Sequence, residues 1–381
     1  MDLAQTARTE ALRAEARAWL RAHVPARPLP SLETAEGFAA HREWEAELYE
    51  GRWSAVAWPE EYGGRGADLF GWLAFEEEYW AAGAPGRVSQ NGISLLAPTL
   101  FDHGTAEQRA RVLPPMAGGE VIWAQAWSEP EAGSDLAALR SRAVRTAGGW
   151  LLSGQKTWSS RAAFADRAFG IFRTDPGAAK PHQGLTYLMF GLCAPGVTVR
   201  PIGRLDGKPA FAEIFLDEVF VPDEDVIGEP GQGWRIAMAA TGNERGLTLR
   251  SPGRFLAAAD RLTALWRETG DPGDTAVRDR VADAVIGARA YRLFTAASAS
   301  RFAAGAALGA ESSLNKVFWS EYDIALHETA LDLLGPEAEA ADGAWAEGYV
   351  FALAGPIYAG TNEIQRDIIA ERLLGLPKGR R

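Results

Sequence analysis

Gln125-Ala126-Trp127-Ser128-Glu129-Pro130-Glu131-Ala132-Gly133-Ser134-Asp135, followed downstream by Gly154-Gln155-Lys156-Thr157-Trp158-Ser159-Ser160, is the part of the chain whose reading decides the fold. It lies where the hydrophobic period changes. Up to about residue 120 apolar residues recur at three- and four-residue spacing, as in Leu12, Ala16, Trp19 and Leu20, and again over Phe38 to Tyr49 and Leu69 to Trp80. Pro25 to Pro30 and the run Pro59 to Gly64 separate these segments, since proline cannot sit inside a helix. From about 121 to 227 the period shortens towards two, with strand-like runs at Ala168 to Phe172, Thr186 to Phe190, Val197 to Pro201 and Glu213 to Leu216. After Gly228-Glu229-Pro230-Gly231-Gln232-Gly233 it lengthens again, predicting helices near 233–250, 252–269, 274–305, 310–334 and 361–374. The expected fold is therefore α+β, mainly α, with an N-terminal α-helical domain over 1–120, a middle β domain over 121–227 and a C-terminal α-helical domain over 228–381.

Bulk properties narrow the function. The 381 residues, 47% of them hydrophobic, are those of a globular chain with a large core, and neither a disordered tract nor an internal repeat is present. A net charge of −11 and a pI near 5.1 oppose a nucleic-acid surface, which needs clustered Lys and Arg. The charged first fifteen residues and the lack of a long apolar run predict neither a signal peptide nor a membrane span, and hence a cytoplasmic protein. One cysteine, Cys193, excludes an internal disulfide, and the five scattered histidines lack metal-ligand spacing, so no metal is expected. The basic run from Arg8 to Arg21 reads as the solvated face of an amphipathic helix.

The opening stretch resembles the flavin-contacting motifs of the acyl-CoA dehydrogenase family, and the resemblance continues through Glu244-Arg245-Gly246 to Ala359-Gly360-Thr361-Asn362-Glu363-Ile364-Gln365-Arg366. It covers nearly the whole chain in the family's order. The resemblance implies bound FAD, a flavin being held by polar groups at its edge and an aromatic wall behind it while the cofactor carries the redox step. By that likeness Gln125, Trp127, Ser128, Trp158 and Ser160 are cofactor-binding, with the Ser160 hydroxyl directed at flavin N5 and Trp158 packed on the ring. Thr361 and Glu363 fall in the loop near the pyrophosphate, and Ser134, Arg245 and Gly360 match positions that contact the thioester or its CoA. Ser159 and Arg161 depart from the commonest pattern, and Gly242 falls where some members have an adenine-binding aspartate.

Oxidising an acyl thioester across its α and β carbons takes a base, a donor to the carbonyl oxygen and a hydride acceptor. Many members of the family carry the base just before the Gly-Thr of the last motif, where this chain has Ala359. A minority, isovaleryl-CoA dehydrogenase among them, carry a small residue there and the glutamate on the first helix after the β domain, directly before an arginine; Glu244, before Arg245, matches that station. The resemblance thus implies Glu244 as base, and a backbone N–H of Ala359 in the oxyanion hole. Read without it, Glu244 is an ordinary helix-face carboxylate beside an arginine.

The Arg-x-x-Phe-Gly and Gln-x-x-Gly-Gly turns, which hold the adenylate of the neighbouring subunit's flavin in self-sufficient homotetramers, are not intact: the chain reads Arg261 to Gly270 without them and Asp332-Leu333-Leu334-Gly335-Pro336 at the second. This mixture resembles heteromeric bacterial members, while a homodimer or homotetramer stays open. The expected activity is α,β-dehydrogenation of an acyl-CoA thioester with electrons passed to an electron-transferring flavoprotein. The alternatives are a non-catalytic partner subunit, or a tailoring enzyme of the same fold acting on an acyl-carrier-protein substrate or with oxygen.

Overall fold

The structure, a computed structural model, describes residues 6–245, 251–306, 309–339 and 343–378, with the backbone alone for 241–245 and 339. Most helices begin on a side chain that takes an orphan N–H of the first turn. Thr6 accepts from Thr9 N at 3.2 Å at the head of α1 (Ala7–His23), Thr34 from Gly37 N at 3.1 Å at α2 (Ala35–Glu50), and Asp68 from Gly71 N at 2.8 Å at α3 (Leu69–Ala81). A π-helical turn, Gly92–Leu96, leads into α4 (Ala97–His103), and a reciprocal Thr105–Gln108 capping box opens α5 (Ala106–Ala117).

The β segment follows, with β1 (Trp123–Ala126), β2 (Arg142–Thr146), β3 (Gly149–Ser160), β4 (Arg167–Arg173), β5 (Leu185–Gly191), β6 (Val197–Ile202), β7 (Phe211–Pro222) and β8 (Val226–Ile227). The remainder is helical: α6 (Gly233–Arg245), α7 (Pro252–Thr269), α8 (Thr275–Ala303), α9 (Glu311–Leu334), α10 (Ala344–Ala352) and α11 (Asn362–Ile368), the last running into a π-turn over Ile369–Leu373. The fold is α+β and mainly helical, with strands confined to the middle of the sequence. Among the described residues no helix is long and apolar enough to cross a membrane, and no group of His, Cys, Asp or Glu is arranged to hold a metal ion.

The chain forms two compact units that cut across sequence order: residues 25–66 and 85–244 make one, residues 1–24, 67–84 and 245–381 the other. In the first, the strands join in the order β6-β7-β3-β2-β4-β5-β8, and β1 pairs parallel with β4, Trp123 opposite Arg167 and Ala126 opposite Gly170. One face buries Ala143, Trp150, Leu152, Phe172, Phe190 and Ile214 with Phe38 of α2, and the other buries Phe169, Ile171, Tyr187 and Met189 with Leu100 of α4 and Leu113 and Met116 of α5. Gly154 has φ +145°, and a Cβ there would stand 2.3 Å from Ser141 Oγ, so only glycine lets β2 and β3 run together at this point.

In the second unit Phe255 and Leu262 of α7, Val281 and Tyr291 of α8 and Trp319 and Leu326 of α9 form the core. The basic run of α1 is not wholly solvated as its pattern suggests. Arg13 reaches Glu77 at 2.9 Å and Glu78 at 3.0 Å, and Arg17 reaches Glu78 at 2.7 Å, so these guanidinium groups tie α1 to α3. Deeper in, Asp323 of α9 accepts from Arg254 of α7 at 2.8 Å and lies 3.3 Å from His327 Nδ1. Burial works to raise the Asp323 carboxyl, but Arg254 and His327 outweigh it and hold it at about 2. Its folded value lies below its unfolded one, so its contribution is present above the ordinary carboxyl range and lost as pH falls towards 2. Asp323→Asn is expected to cost roughly 2 kcal/mol at neutral pH, and urea unfolding of both proteins should find that gap narrowing as pH drops below the usual Asp value.

Candidate functional site

The loop leaving β1 carries most of the residues singled out in the first unit, and a buried ion pair staples it to the sheet. Lys156 of β3 is fully buried, and its ammonium donates to Glu129 Oε1 at 2.9 Å, Ile171 O at 2.8 Å and Trp127 O at 3.3 Å. Glu129 in turn accepts from the backbone N–H of Arg140 at 2.6 Å and of Ser141 at 2.9 Å. Both ends of the loop from 127 to 141 are thereby fixed to one carboxylate. Burial pushes Lys156 down to about 8 against the pull of Glu129. It also works to raise Glu129, but the Lys156 charge and the Arg140 N–H leave that carboxyl below its ordinary value. The pair is ionised at neutral pH.

Just before this loop Gln125 is half-buried on β1; within it Ser128 is half-buried and Ser134 is exposed near the apex. The Trp127 side chain turns inward, edge-on to Tyr187 at 6.1 Å, with its indole N–H buried and without a hydrogen-bond partner among the described residues. Such an orphan donor in a native interior calls for an explanation.

On β3 the ladder to β7 is broken in front of the loop. Lys156 pairs with Ile214 and Ser159 with Ala212, so β3 spends one more residue than β7 and bulges. Thr157 N turns away to donate to Ser128 O at 2.9 Å, joining the bulge to the loop. Trp158, at the bulge, has φ +57° and is 60% exposed, its ring meeting Phe211 edge-on at 5.9 Å. Ser159 is buried, its hydroxyl without a partner among the described residues, and Ser160 is half-buried. A large aromatic in the left-handed region and mostly out of the core is held there at a cost that packing does not offset.

In the second unit, Ala359 (φ +56°) and Gly360 (φ +78°) form a left-handed turn that leads into α11, whose first N–H groups are capped by Thr361 at 3.3 Å. The Gln365 amide donates back to Ala359 O at 3.2 Å and Gly360 O at 3.3 Å. Asn362 is buried and accepts from Lys316 Nζ at 2.8 Å and Ser320 Oγ at 3.1 Å, both on α9. Glu363 is exposed, its carboxyl lowered first by its own backbone N–H and then by the Thr361 hydroxyl. Glu244 and Arg245 belong to the last turn of α6, and their side chains lie outside the described residues.

Lys156, Glu129, Lys316, Ser320 and Gln365 organise these turns and were not singled out from sequence. A signal existed for Lys316, which stands directly before the apolar Val317-Phe318-Trp319, but not for Lys156, which sits in the polar run Ser153 to Thr157; a buried Lys is almost always paired. The acceptors were not legible, because they come from distant elements.

Family profiles for the acyl-CoA dehydrogenase N-terminal, middle and C-terminal domains match residues 6–120, 124–219 and 231–374. The chain belongs to the acyl-CoA dehydrogenase family, a family of oxidoreductases. It is 39% identical over 350 residues to the acyl-CoA dehydrogenase IpdE1 of Mycobacterium tuberculosis, covering 90% of each chain. Among solved structures it is similar to the Tcur3481-Tcur3483 steroid acyl-CoA dehydrogenase, at 27% identity with a TM-score of 0.86, and to the ChsE4-ChsE5 complex of Mycobacterium tuberculosis, at 30% identity with a TM-score of 0.83, each over 100% of both chains.

Removing Lys156 leaves Glu129 charged and unpaired in the interior, so Lys156→Met is expected to cost about 3–5 kcal/mol in urea unfolding. Adding Glu129→Gln should recover part of that loss, since the neutral amide no longer needs the cation.

Proposed function

We propose that the chain is an FAD-dependent dehydrogenase that removes the α-proton and β-hydride of an acyl-CoA thioester, with an electron-transferring flavoprotein as electron acceptor. The observation that carries this reading is Trp158, an exposed aromatic held in the left-handed region beside a stapled, polar loop. The donor set fits a flavin. Backbone N–H groups from 125 to 134 and the Ser128 hydroxyl suit the pyrimidine edge, Ser160 suits N5, Trp158 gives aromatic surface while the buried Trp127 packs behind the loop, and Thr361 and Glu363 lie on a helix N-terminus suited to the pyrophosphate region. When bound, FAD supplies the acceptor for the β-hydride.

The chain's own groups do the rest. Glu244 takes the α-proton onto a carboxylate oxygen, and an apolar surround would raise its basicity towards the working pH. The backbone N–H of Ala359 donates to the thioester oxygen as charge develops there, a contribution that needs no side chain. The Gln365 bonds to Ala359 O and Gly360 O support this by fixing the turn, and Ser134, Arg245 and Gly360 are the proposed substrate contacts. The similarity to a steroid acyl-CoA dehydrogenase makes a polycyclic acyl thioester the first substrate class to try.

A second reading is favoured by one observation. Helix α7 ends at Thr269 and passes through Gly270 without an Arg-x-x-Phe-Gly turn, so the adenylate support would come from elsewhere, and the ChsE4-ChsE5 neighbour is itself a two-chain complex. A related second chain would then complete the flavin site. A cytoplasmic location goes with either reading.

Two measurements test these roles. The protein purified alone is expected to be yellow and to bleach anaerobically with one of a panel of acyl-CoA thioesters. Glu244→Gln should bleach about 10²–10⁴-fold more slowly, the range for loss of a general base. Equal bleaching would remove Glu244 from the mechanism, and a colourless protein that takes up FAD only with a second chain would select the heteromer. Trp158→Gly separates a cofactor wall from a packing residue. It is expected to weaken FAD binding while leaving Tm within a few degrees of the wild type, because relief of the left-handed strain, roughly 1 kcal/mol, offsets the little burial lost.

A further inference from the structure

Two left-handed non-glycine residues, Trp158 (φ +57°) and Arg161 (φ +55°), bracket Ser159 and Ser160. Such a backbone persists only where its surroundings over-determine it. On one side the bulge is held by the Thr157 N–H to Ser128 O and by Lys156. On the other, Arg161 N donates to Ala210 O at 2.9 Å, while Arg161 O accepts from Phe164 N at 2.9 Å and Ala165 N at 3.1 Å. These bonds fix the residue's main chain but not its side chain.

The guanidinium has a partner of its own. Arg161 donates through Nε at 3.2 Å and Nη2 at 2.9 Å, both to Oε1 of Glu33. Glu33 precedes α2 and is 2% exposed, and its second oxygen is buried with no hydrogen-bond partner among the described residues. A carboxylate used in this way is not optimised for stability, since half of its hydrogen-bonding capacity is forgone in the interior. What the contact does achieve is geometric. It ties the residue after Ser160 to a buried point far away in sequence, in a fork that only arginine can present.

We infer that Arg161, held by Glu33, is a positioning residue that braces the Trp158–Arg161 turn and so fixes where Trp158 and Ser160 meet the flavin. This rests on the proposed flavin site. It gives a role to a position at which the chain departs from the commonest family pattern, and to a buried glutamate that no motif singles out.

The test uses Arg161→Gln and the nearly isosteric Glu33→Gln, with Arg161→Lys as the conservative control. Hydrogen exchange of residues 157–162 is followed in FAD-free protein, and FAD is then titrated into each variant. Arg161→Gln and Glu33→Gln are each expected to speed exchange in that segment, with the rest of the first unit unchanged. Each should also weaken FAD binding about tenfold or more, the scale of a lost charge-assisted hydrogen bond. Arg161→Lys should restore part of both. Faster exchange with unchanged FAD affinity would make the pair merely structural and overturn the inference, as would no change in either. A wild type that takes up no FAD, alone or with a second chain, would overturn the flavin reading and this role with it.

Discussion

Everything proposed for the first unit depends on the ammonium of Lys156. It sits with no exposure at the point where β3, β4 and the loop from β1 converge, and its three donors meet Glu129, Trp127 O and Ile171 O. Two of those acceptors belong to the loop and one to the sheet, so a single point charge sets the distance between them. An ammonium is suited to this because its three donors diverge, whereas a guanidinium would impose a plane. Glu129 extends the constraint to Arg140 and Ser141, so the exposed apex around Gly133 and Ser134 hangs from a rigid base. The desolvation of both ions makes the pair a poor device for raising stability and a good one for fixing register.

The choice of lysine gains meaning from the composition. The chain takes its positive charge almost wholly from arginine: Lys156, Lys180, Lys208, Lys316 and Lys378 are all its lysines. Lys156 and Lys316 are fully buried, one beneath the loop of the first unit and one beneath the turn that carries Ala359 and Gly360 in the second, where it bonds Asn362. Arginine instead joins elements through partly buried pairs, as from Arg13 and Arg17 to Glu77 and Glu78 and from Arg254 to Asp323. In both units, then, a buried ammonium supports the turn on which the proposed chemistry relies.

The sequence made the alternation of helix and strand legible because periodicity survives without tertiary information. Helices α1, α2, α3 and α7 to α9 follow the expected segments closely, and the capping residues Thr34, Asp68 and Thr361 mark their starts in the text of the chain. Strands β1, β2, β3 and β8 did not stand out: Trp123–Ala126 is buried throughout most of its length, Arg142–Thr146 carries two arginines, Gly149–Ser160 is interrupted by Gly154 and a bulge, and Val226–Ile227 is only two residues long. Helix α10 was missed because Ala344–Ala352 mixes aromatic and small residues without a clear face. At the site, the motif residues were legible and their supports were not. Thr157 bonds Ser128, Arg161 bonds Glu33 and Gln365 bonds Ala359 O, and only the last is a near neighbour in sequence.

The left-handed residues explain why the motifs take the form they do. Five described non-glycine residues have positive φ, and three of them, Trp158, Arg161 and Ala359, fall in the two turns to which the family likeness assigns the flavin and the thioester oxygen. A glycine at 359 would enter that conformation more cheaply, and a carboxylate there would bring a base; alanine does neither. What alanine retains is a backbone with a defined direction and a side chain too small to compete for protons. The turn is thus left with backbone donors and no carboxylate of its own, so under the proposed mechanism the base has to come from another element.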